Sequence, residues 1–456
     1  MSTPFLPGGE DTIAAVATAP GRGAIAVVRI SGREALRIAG RVIAGFDVAI
    51  PGKVRLCAVR NPADQSILDR GLVTAFLAPH SYTGEDVVEI SVHGGALVPA
   101  LVLGVLLEAG ARQALPGEFT RRAVINGRLD LLQAEAVADL VDARSQMAHR
   151  VAVNQLDGAL SRRTAELRGE LLDLEANMAY DIDFPEEDDG PIDRSSIASR
   201  LTRTIGVLDD LLRSSQAGEM IRDGALVVIG GAPNAGKSSL FNALVGRQRA
   251  IVTDIPGTTR DAIESLVDIR GWPVRLVDTA GLRESTDVVE RLGVEISERY
   301  LADADVVLIC AETREELGTL SDRISQLTEA PHLVVRTKSD LRSAGAETNG
   351  SAIPVSALNG HGLDELTDRI SSLLSARFGA TVGEAPVLTR ERHRRAVSAA
   401  RMELMAFREA WLRNDPPSSV AAVHLREAAH HLAELIGSVD VEDVLERVFS
   451  TFCVGK

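Results

Sequence analysis

The sequence has few cysteines and aromatic residues, and it lacks a long apolar run. Its 456 residues include three cysteines, and aromatic side chains make up 3% of the composition. Cys57, Cys310 and Cys453 are too few and too scattered for a disulfide framework or a CxxC metal site, which indicates a reducing compartment. No apolar run reaches the ~18 residues that a membrane-spanning helix requires. The first residues, MSTPFLPGGEDT, have no basic segment before an apolar core, so we expect a cytoplasmic protein without a membrane partner.

Positive charge is also scarce. The chain has 49 basic and 64 acidic residues, giving a formal net charge of −15. This balance argues against broad, sequence-independent nucleic-acid binding through a basic surface, although a local basic patch or a separate subunit could still bind RNA. The acidic stretch DFPEEDDG at 183–190 contains proline and glycine, and we interpret it as a solvated loop rather than a metal site.

The length corresponds to about three domains of ~150 residues each. Residues 1–124 combine strand and helix patterns, as in the strand-like AIAVVRISG and DVVEISVHGG and the helix-like ALVPALVLGVLLEAG. Residues 125–222 have long helical patterns, among them LDLLQAEAVADLVDARSQ. Strands alternate with helices over 223–379, and 380–456 is helical again. We therefore predict a multidomain α/β and α protein, in which an α/β domain is inserted into a discontinuous helical domain.

The strongest chemical motif is Gly231-x-x-x-x-Gly236-Lys237-Ser238. It follows the apolar strand pattern ALVVIG and opens the helix pattern SSLFNALVG, which is the setting that a phosphate-binding loop requires. Backbone N–H groups of such a loop wrap phosphate oxygens, Lys237 reaches the β and γ phosphates, and the Ser238 hydroxyl binds Mg²⁺.

Further motifs occur in the order expected of a GTPase. Asp278-Thr279-Ala280-Gly281 follows the strand pattern VRLVD, so Asp278 can hold Mg²⁺ through water and the Gly281 amide can sense the γ-phosphate. Between the two motifs lies GTTR, in which a threonine, with Thr259 favoured over Thr258, could complete the magnesium shell. The fold predicted for 223–379 is therefore a Ras-like P-loop G domain.

Base selection is assigned to a later loop. Asp340 follows the strand pattern HLVV, and its carboxylate can accept hydrogen bonds from guanine N1–H and the exocyclic amine, whereas adenine has no donor at N1. GTP is therefore favoured over ATP. Thr337 stands where the common Asn-Lys-x-Asp pattern has asparagine, so the bond from that position back to the phosphate loop is in doubt. The predicted GTP contacts are Asn234, Ala235, Gly236, Lys237, Ser238, Ser239, Thr258, Thr259, Asp278, Gly281, Lys338, Asp340, Ser356 and Ala357.

The sequence lacks the glutamine with which many small GTPases orient the attacking water. Leu282 stands directly after the Asp-x-x-Gly motif, and its apolar side chain cannot do this. Hydrolysis therefore needs another water-positioning group and another source of positive charge. The candidates for the first are Glu284, Asp287 and Glu290, and those for the second are Arg283 and a monovalent cation held by Asn234.

The chain ends in FCVGK, with Cys453 in the fourth position from the end. A prenylation signal has a cysteine there, but Gly455 and Lys456 do not fit its last two positions. The alternative is a frayed end. Apolar residues continue at helical spacing up to the tail, which predicts that the tail leaves an anchored helix.

Together these stretches resemble one family. GRGAIAVVRISG, SYTGEDVVEISVHGG, PGEFTRRAVINGRLDLLQAEAVADLVDA, GAPNAGKSSLFNAL, DTAGLRE, VERLG and FCVGK are similar to the tRNA modification GTPase family MnmE, also called TrmE. The resemblance covers nearly the whole chain. It implies an N-terminal α+β domain that dimerises and binds a formyl-tetrahydrofolate, a discontinuous helical domain and an inserted G domain.

The resemblance also implies partners and roles. Such proteins act with a flavin-dependent partner, MnmG or GidA, with which they can combine as a heterotetramer, and place an aminomethyl or carboxymethylaminomethyl group on C5 of the wobble uridine of certain tRNAs. By motif, Asn234 would hold potassium and Glu290 would position the water as a catalytic group alongside Lys237. The implied contacts to 5-formyl-tetrahydrofolate or a related one-carbon folate are Arg29, Glu89, Arg128 and Lys456. Arg128 stands where the family often has lysine, and Cys453 would either act chemically or shape the pocket.

Two other functions compete with this interpretation. A regulatory or scaffold GTPase without modification chemistry would need only the nucleotide motifs, and folate binding would distinguish it. An ATPase is opposed by Asp340 and by the order of the motifs, and nucleotide selectivity would distinguish it.

Overall fold

The computed structural model describes most of the chain. The described residues are 11–46, 51–183, 194–232, 234–249, 264–279, 299–311, 314–341, 352–379, 385–413, 418–437 and the single positions 449, 452 and 455. The chain divides into two units, Met1–Ala138 with Ile436–Lys456, and Asp139–Leu435.

The first unit contains a six-stranded sheet. Its strands are β1 (Ile13–Val16), β2 (Ile25–Ser31), β3 (Arg55–Arg60), β4 (Ile67–Phe76), β5 (Val87–His93) and β6 (Arg112–Gln113). They lie in the order β3-β4-β5-β2-β1-β6, and every pair is antiparallel except β1 with β6. The helices beside them are α1 (Ala35–Val42), α2 (Leu97–Glu108), α3 (Glu118–Ile125) and the start of α4 (Leu131–Asp142).

The hydrophobic pattern explains this packing. Alternate residues of β2, among them Val28 and Ile30, are buried together with Val102 and Leu106 of α2. Gly32 directly follows β2 with φ +133°, and a Cβ atom there would lie 2.8 Å from the Cα atom of Thr12. A side chain at this position would therefore push the first strand away.

The second unit contains a second six-stranded sheet. Its strands are β7 (Ala225–Gly231), β8 (Glu264–Ile269), β9 (Trp272–Asp278), β10 (Val306–Ala311), β11 (His332–Arg336) and β12 (Ile353–Pro354), in the order β12-β11-β10-β7-β9-β8. Only β8 is antiparallel to its neighbour. The helices that alternate with these strands are α8 (Lys237–Arg249), α9 (Arg314–Leu327) and α10 (Leu363–Phe378). Because the other strands are parallel, the loops after β7, β9, β10 and β11 meet at one edge.

Further helices belong wholly or mainly to this unit. They are α5 (Gln146–Leu156), α6 (Ala159–Asp183), α7 (Arg194–Asp223), α11 (Glu391–Arg413) and α12 (Ser418–Ile436). The segment before α11 lies directly on α7, since a Cβ atom on Gly218 would be 2.1 Å from the carbonyl oxygen of Leu388. Arg426 of α12 pairs with Glu175 of α6 at 2.6 Å. The helices before and after the second sheet are thus in contact.

One predicted helix is divided in two. The pattern LDLLQAEAVADLVDARSQ predicts continuous helix, but α4 ends at Asp142 and α5 begins at Gln146. Ser145 lies between them with extended backbone, and its hydroxyl accepts a hydrogen bond from the Ala148 amide at 3.1 Å. This N-cap satisfies a donor at the start of α5, so the break is stabilised where hydrophobic spacing alone does not indicate it.

Among the described helices, none combines the length and apolar character needed to cross a bilayer.

Candidate functional site

The phosphate-loop motif lies between β7 and α8. Lys237 is the first residue of α8 and is 5% exposed. Its ammonium group donates to the carbonyl oxygens of Gly231 at 3.1 Å and Ala232 at 2.7 Å. The side chain therefore curls over its own loop, which puts the positive charge inside the bend that phosphate oxygens would enter.

Backbone geometry explains the glycines of this loop. Gly231 has φ +151°, and a Cβ atom there would lie 2.2 Å from the carbonyl oxygen of Cys310 on the neighbouring β10. Gly236 has φ +77° and Asn234 has φ +59°, both in the left-handed region. The loop therefore follows a path that few residue types adopt without strain.

A buried carboxylate accompanies the lysine. Asp278 ends β9 and is 3% exposed. Cys310 lies close to both charged groups: burial raises the pKa of its thiol to about 12, the Lys237 ammonium opposes this rise, and Asp278 adds to it. Lys237 and Asp278 are thus brought to the same edge of the sheet, as the motif order predicts. Ser238 is an exposed residue at the start of α8.

The base-selection loop is connected to the phosphate loop. The hydroxyl of Thr337 donates to the carbonyl oxygen of Ala235 at 2.7 Å. The bond that the missing asparagine placed in doubt is therefore present, made by a shorter side chain. Lys338 has φ +55° in the same loop.

Asp340 is held by a hydroxyl that is fully buried. Ser356 is 0% exposed, and its hydroxyl donates to a carboxylate oxygen of Asp340 at 2.6 Å. The Ser356 amide in turn donates to the carbonyl oxygen of His361 at 3.0 Å. This second contact fixes the loop that carries the serine. The motif indicated that Ser356 contacts the nucleotide, but its bond to Asp340 was not expected.

These loops enclose a cleft of about 470 Å³. The lining residues are Gly236, Ser239, Leu240, Asn242, Ala243, Thr337, Lys338, Asp340, Val355, Ala357 and Leu358. The phosphate loop thus borders the same cavity as the residues assigned to guanine, over a volume typical of small-molecule sites.

Several predicted site residues lie outside the described residues. They are Thr258, Thr259, Gly281, Glu290, Cys453 and Lys456, together with the alternatives Arg283, Glu284 and Asp287.

In the first unit, two of the predicted folate residues form an ion pair. Arg29 on β2 and Glu89 on β5 are direct cross-strand partners, and their side chains meet at 2.8 Å. The Arg29 guanidinium also lies 5.2 Å from the ring centre of Tyr82 and 5.6 Å from that of Phe119. Burial raises the pKa of the Tyr82 phenol, which indicates an enclosed environment. The two rings were not among the predicted site residues.

The described residues of the C-terminal tail pack against this unit. Gly455 accepts a hydrogen bond from Arg29 at its carbonyl oxygen, at 3.4 Å. It has φ +101°, and a Cβ atom on it would lie 2.5 Å from the carbonyl oxygen of Val16. Phe449 and Phe452 are buried in one hydrophobic cluster. At these positions the tail is docked rather than frayed.

Arg128, the third predicted folate residue, is exposed and passes beside Gly84, whose built Cβ atom would be 3.2 Å from its Cγ atom.

A buried ionic network was missed by the sequence analysis. Arg122 has a side chain only 6% exposed and bonds to Asp11, Glu85 and Glu118 at 2.9–3.1 Å. Burial disfavours ionisation of Glu118, but the hydrogen bond from Arg112, followed by other donors, outweighs it and lowers the pKa of that carboxyl. The arginine lies in PGEFTRRA, part of a stretch that resembles the family, but the pattern of that stretch does not reveal which carboxylates the arginine meets.

The second unit therefore has the fold of a P-loop protein, with the phosphate-loop lysine and the Asp340 carboxylate at the same edge of its sheet. Family models match most of the chain: one described as the MnmE helical domain covers residues 131–453, and one described as the GTP-binding protein TrmE N-terminus covers 12–128. The chain belongs to the MnmE (TrmE) family of tRNA modification GTPases.

Relatives support this assignment along almost the full length. The chain is 41% identical over 451 residues to a protein named tRNA modification GTPase MnmE from Aquifex aeolicus, covering 98% of this chain and 100% of that protein. It is 43% identical over 459 residues to one of the same name from Neisseria meningitidis serogroup C, covering 98% and 99% of the two chains.

Solved structures match a smaller part. Era Y63A of Aquifex aeolicus bound to GDP·AlF4⁻ is 26% identical and covers 39% of this chain and 66% of its own, with a TM-score of 0.26. A GTP-binding protein of Sulfolobus solfataricus in complex with GDP is 18% identical and covers 46% and 67%, with a TM-score of 0.24.

Proposed function

We propose that this chain is a GTPase of tRNA modification. With a flavin-dependent partner of the MnmG (GidA) type, it adds an aminomethyl or carboxymethylaminomethyl group to C5 of the wobble uridine of certain tRNAs. The observation that carries the GTPase assignment is the meeting of Lys237, Asp278 and Asp340 at one edge of the second sheet. The relatives' name, at 41% identity over 98% of this chain, supports the role in tRNA modification.

The geometry assigns a task to each part of the nucleotide site. Phosphate oxygens would replace the carbonyl groups of Gly231 and Ala232 as partners of the Lys237 ammonium. Asp340, oriented by Ser356, would accept hydrogen bonds from the Watson–Crick edge of guanine. Binding the base and the phosphates at opposite ends of the cleft orients the γ-phosphate for attack by water.

Magnesium fits the oxygen groups at the phosphate end. The Ser238 hydroxyl and Thr259 would bind it directly, and Asp278 would hold it through water, since hydroxyl and carboxylate oxygens suit this hard cation. Asp278 is buried at the end of its strand beside the lysine, which supports this assignment. When bound, the metal neutralises charge on the β and γ phosphates.

Potassium and Glu290 complete the proposed hydrolytic machinery. Asn234 is exposed on the loop in a left-handed conformation, so its amide oxygen is accessible to a cation. Potassium should then accelerate GTP hydrolysis far more than sodium does. Equal turnover in the two salts would contradict the assignment of Asn234.

A variant series tests the hydrolytic roles. Lys237→Ala should weaken GTP binding by about 100-fold because it removes charged hydrogen bonds. Glu290→Ala should bind GTP normally but hydrolyse it about 100-fold more slowly, since a water-positioning group acts in the transition state. Glu284→Ala and Asp287→Ala are matched controls expected to keep full turnover. Normal turnover by Glu290→Ala would move the role to another group.

A folate site is proposed in the first unit. Arg29 and Glu89 offer donors and an acceptor beside two aromatic rings, and Arg128 and Lys456 would add positive charge for an anionic one-carbon folate such as 5-formyl-tetrahydrofolate. The contact between Arg29 and Gly455 supports delivery of the tail to this region. Cys453 would then act on the one-carbon unit or shape its pocket.

Two variants separate these roles. Deleting residues 452–456 should abolish wobble-uridine modification, measured by mass spectrometry of tRNA, while GTP hydrolysis continues. If Cys453→Ser binds folate but does not modify tRNA, the thiol takes part in the chemistry. If the variant loses both folate binding and tRNA modification, the side chain shapes the folate pocket. Normal modification by the truncated protein would remove the tail from the mechanism.

The assembly and domain limits are further parts of the proposal. The chain would form a homodimer through residues 1–124, combine with the partner as a heterotetramer and act in the cytoplasm. The helical segments 125–222 and 380–456 would enclose a G domain at 223–379, so a fragment of about 220–380 should fold and bind GTP. The alternative, a scaffold GTPase, predicts GTP hydrolysis without folate binding and unchanged wobble uridines in cells lacking the chain.

A further inference from the structure

The base-selection loop contains a hydroxyl whose single hydrogen already has a partner. Thr337 and Ala235 are buried residues, 7% and 3% exposed. The Oγ1 atom of Thr337 lies 2.7 Å from the carbonyl oxygen of Ala235. A carbonyl oxygen only accepts hydrogen bonds, so the threonine must be the donor. The hydroxyl then has lone pairs to offer a bound nucleotide but no hydrogen.

Asparagine in the same place would have a different capacity. Its amide group carries two N–H hydrogens, so it can donate to the phosphate loop and to a second acceptor at the same time. Guanine presents N7 as an acceptor on the edge away from N1, and Asp340 cannot donate to it when ionised. With threonine in place of asparagine at position 337, this loop therefore has one hydrogen-bond donor fewer.

The surroundings hold the hydroxyl in its present direction. The Thr337 amide donates to the carbonyl oxygen of Ala311 at 3.3 Å, which fixes the backbone. A Cβ atom built on Gly236 would lie 3.4 Å from the Cβ atom of Thr337 and 3.6 Å from its hydroxyl oxygen, so the side chain is packed on the phosphate loop. Turning the hydroxyl toward a base would break its bond to Ala235.

We propose that Thr337 tethers the base-selection loop to the phosphate loop and donates no hydrogen bond to guanine N7, so that this chain selects its base without a hydrogen bond to N7. The inference rests on the proposed binding of GTP in this cleft. Tethering and base selection are then separate tasks, because Asp340 is oriented independently by Ser356 at 2.6 Å.

The test compares GTP with 7-deaza-GTP, in which a C–H group replaces N7 and the Watson–Crick edge is unchanged. Equilibrium binding to the full chain with magnesium should give the two nucleotides equal affinities within twofold. ITP, which lacks the exocyclic amine, is the positive control for base reading and should bind at least fivefold more weakly than GTP.

Substitutions at the same position sharpen the comparison. Thr337→Asn restores the second hydrogen and should bind 7-deaza-GTP about fivefold more weakly than GTP, the equivalent of one ordinary hydrogen bond. Thr337→Val should weaken both nucleotides by the same factor because it removes only the tether. Thr337→Ser keeps the hydroxyl and should behave like the parent chain.

Each result supports or overturns the inference. A loss of more than twofold for 7-deaza-GTP in the parent chain would overturn it while leaving GTP binding established. Absence of that loss in Thr337→Asn would mean that residue 337 does not face N7 and would also overturn it. Failure of the parent chain to bind GTP would overturn the proposed function and this inference together.

Discussion

Replacing Gly231 by alanine should destabilise the second unit through the neighbouring strand rather than through the nucleotide. The added Cβ atom would lie 2.2 Å from the carbonyl oxygen of Cys310 and 3.0 Å from its carbonyl carbon. These are backbone atoms of β10, whose residues pair with β7 in register, so they cannot rotate away as a side-chain end would. The strand or the loop has to move.

The expected loss is about 3 kcal/mol. Holding an alanine at φ +151° costs about 1–3 kcal/mol, and the overlap adds a cost of similar size that local shifts partly relieve. Gly230 is the matched control because it lies next in the same strand. Its φ is not in the left-handed range, and its nearest contacts for a Cβ atom are flexible side-chain ends at 3.7 and 3.8 Å. Gly230→Ala should change stability by no more than about 1 kcal/mol.

The assay is thermal unfolding observed through one tryptophan. The chain has two, and Trp411→Phe preserves a ring beside Phe407 while leaving Trp272, buried in β9, as the reporter. Gly231→Ala should then lower the midpoint by about 6–12 °C relative to the parent chain and by at least about 4 °C relative to Gly230→Ala. Coincident unfolding of the two variants would refute the reasoning, because it would mean that the β10 backbone yields at little cost.

Three other outcomes follow from the structure. Gly455→Ala should weaken folate binding at least fivefold and leave GTP hydrolysis unchanged, because the added Cβ atom would lie 2.5 Å from the Val16 carbonyl oxygen. Equal folate affinity in the variant and the parent chain would contradict this. Cys310, whose thiol pKa burial raises to about 12, should resist iodoacetamide at pH 8 while the partly exposed Cys57 reacts, as peptide mass spectrometry would reveal. The lowered pKa of Glu118 contributes stability that is present above its ordinary value of 4.5 and is lost as the pH falls through the lower folded value. The difference in stability between the parent chain and Glu118→Gln should therefore shrink as the pH is lowered in acid unfolding. A difference that stays constant would count against this role of Glu118.

Local pattern was sufficient for many elements of the fold. The strand patterns ALVVIG, VRLVD and HLVV correspond to β7, β9 and β11, and the helix pattern after the phosphate loop corresponds to α8. These predictions succeeded because a buried parallel strand is a short apolar run and the motif following it has fixed spacing. The break at Ser145 was missed because hydrophobic spacing continues across it, and only the cap distinguishes two helices from one.

The sequence by itself determined which chemical groups are present and in what order: a phosphate-loop motif, a carboxylate at the end of a later strand, the aspartate that we assign to guanine, and a tail with a thiol, a glycine and a lysine. Tertiary structure decided which of them meet. Thr337 reaches Ala235 across 102 residues, and Arg29 reaches Gly455 across 426. Contacts within one turn or strand follow from backbone periodicity, which neighbouring residues specify. Contacts over such separations depend on the order and register of strands, which arise only when the whole core packs.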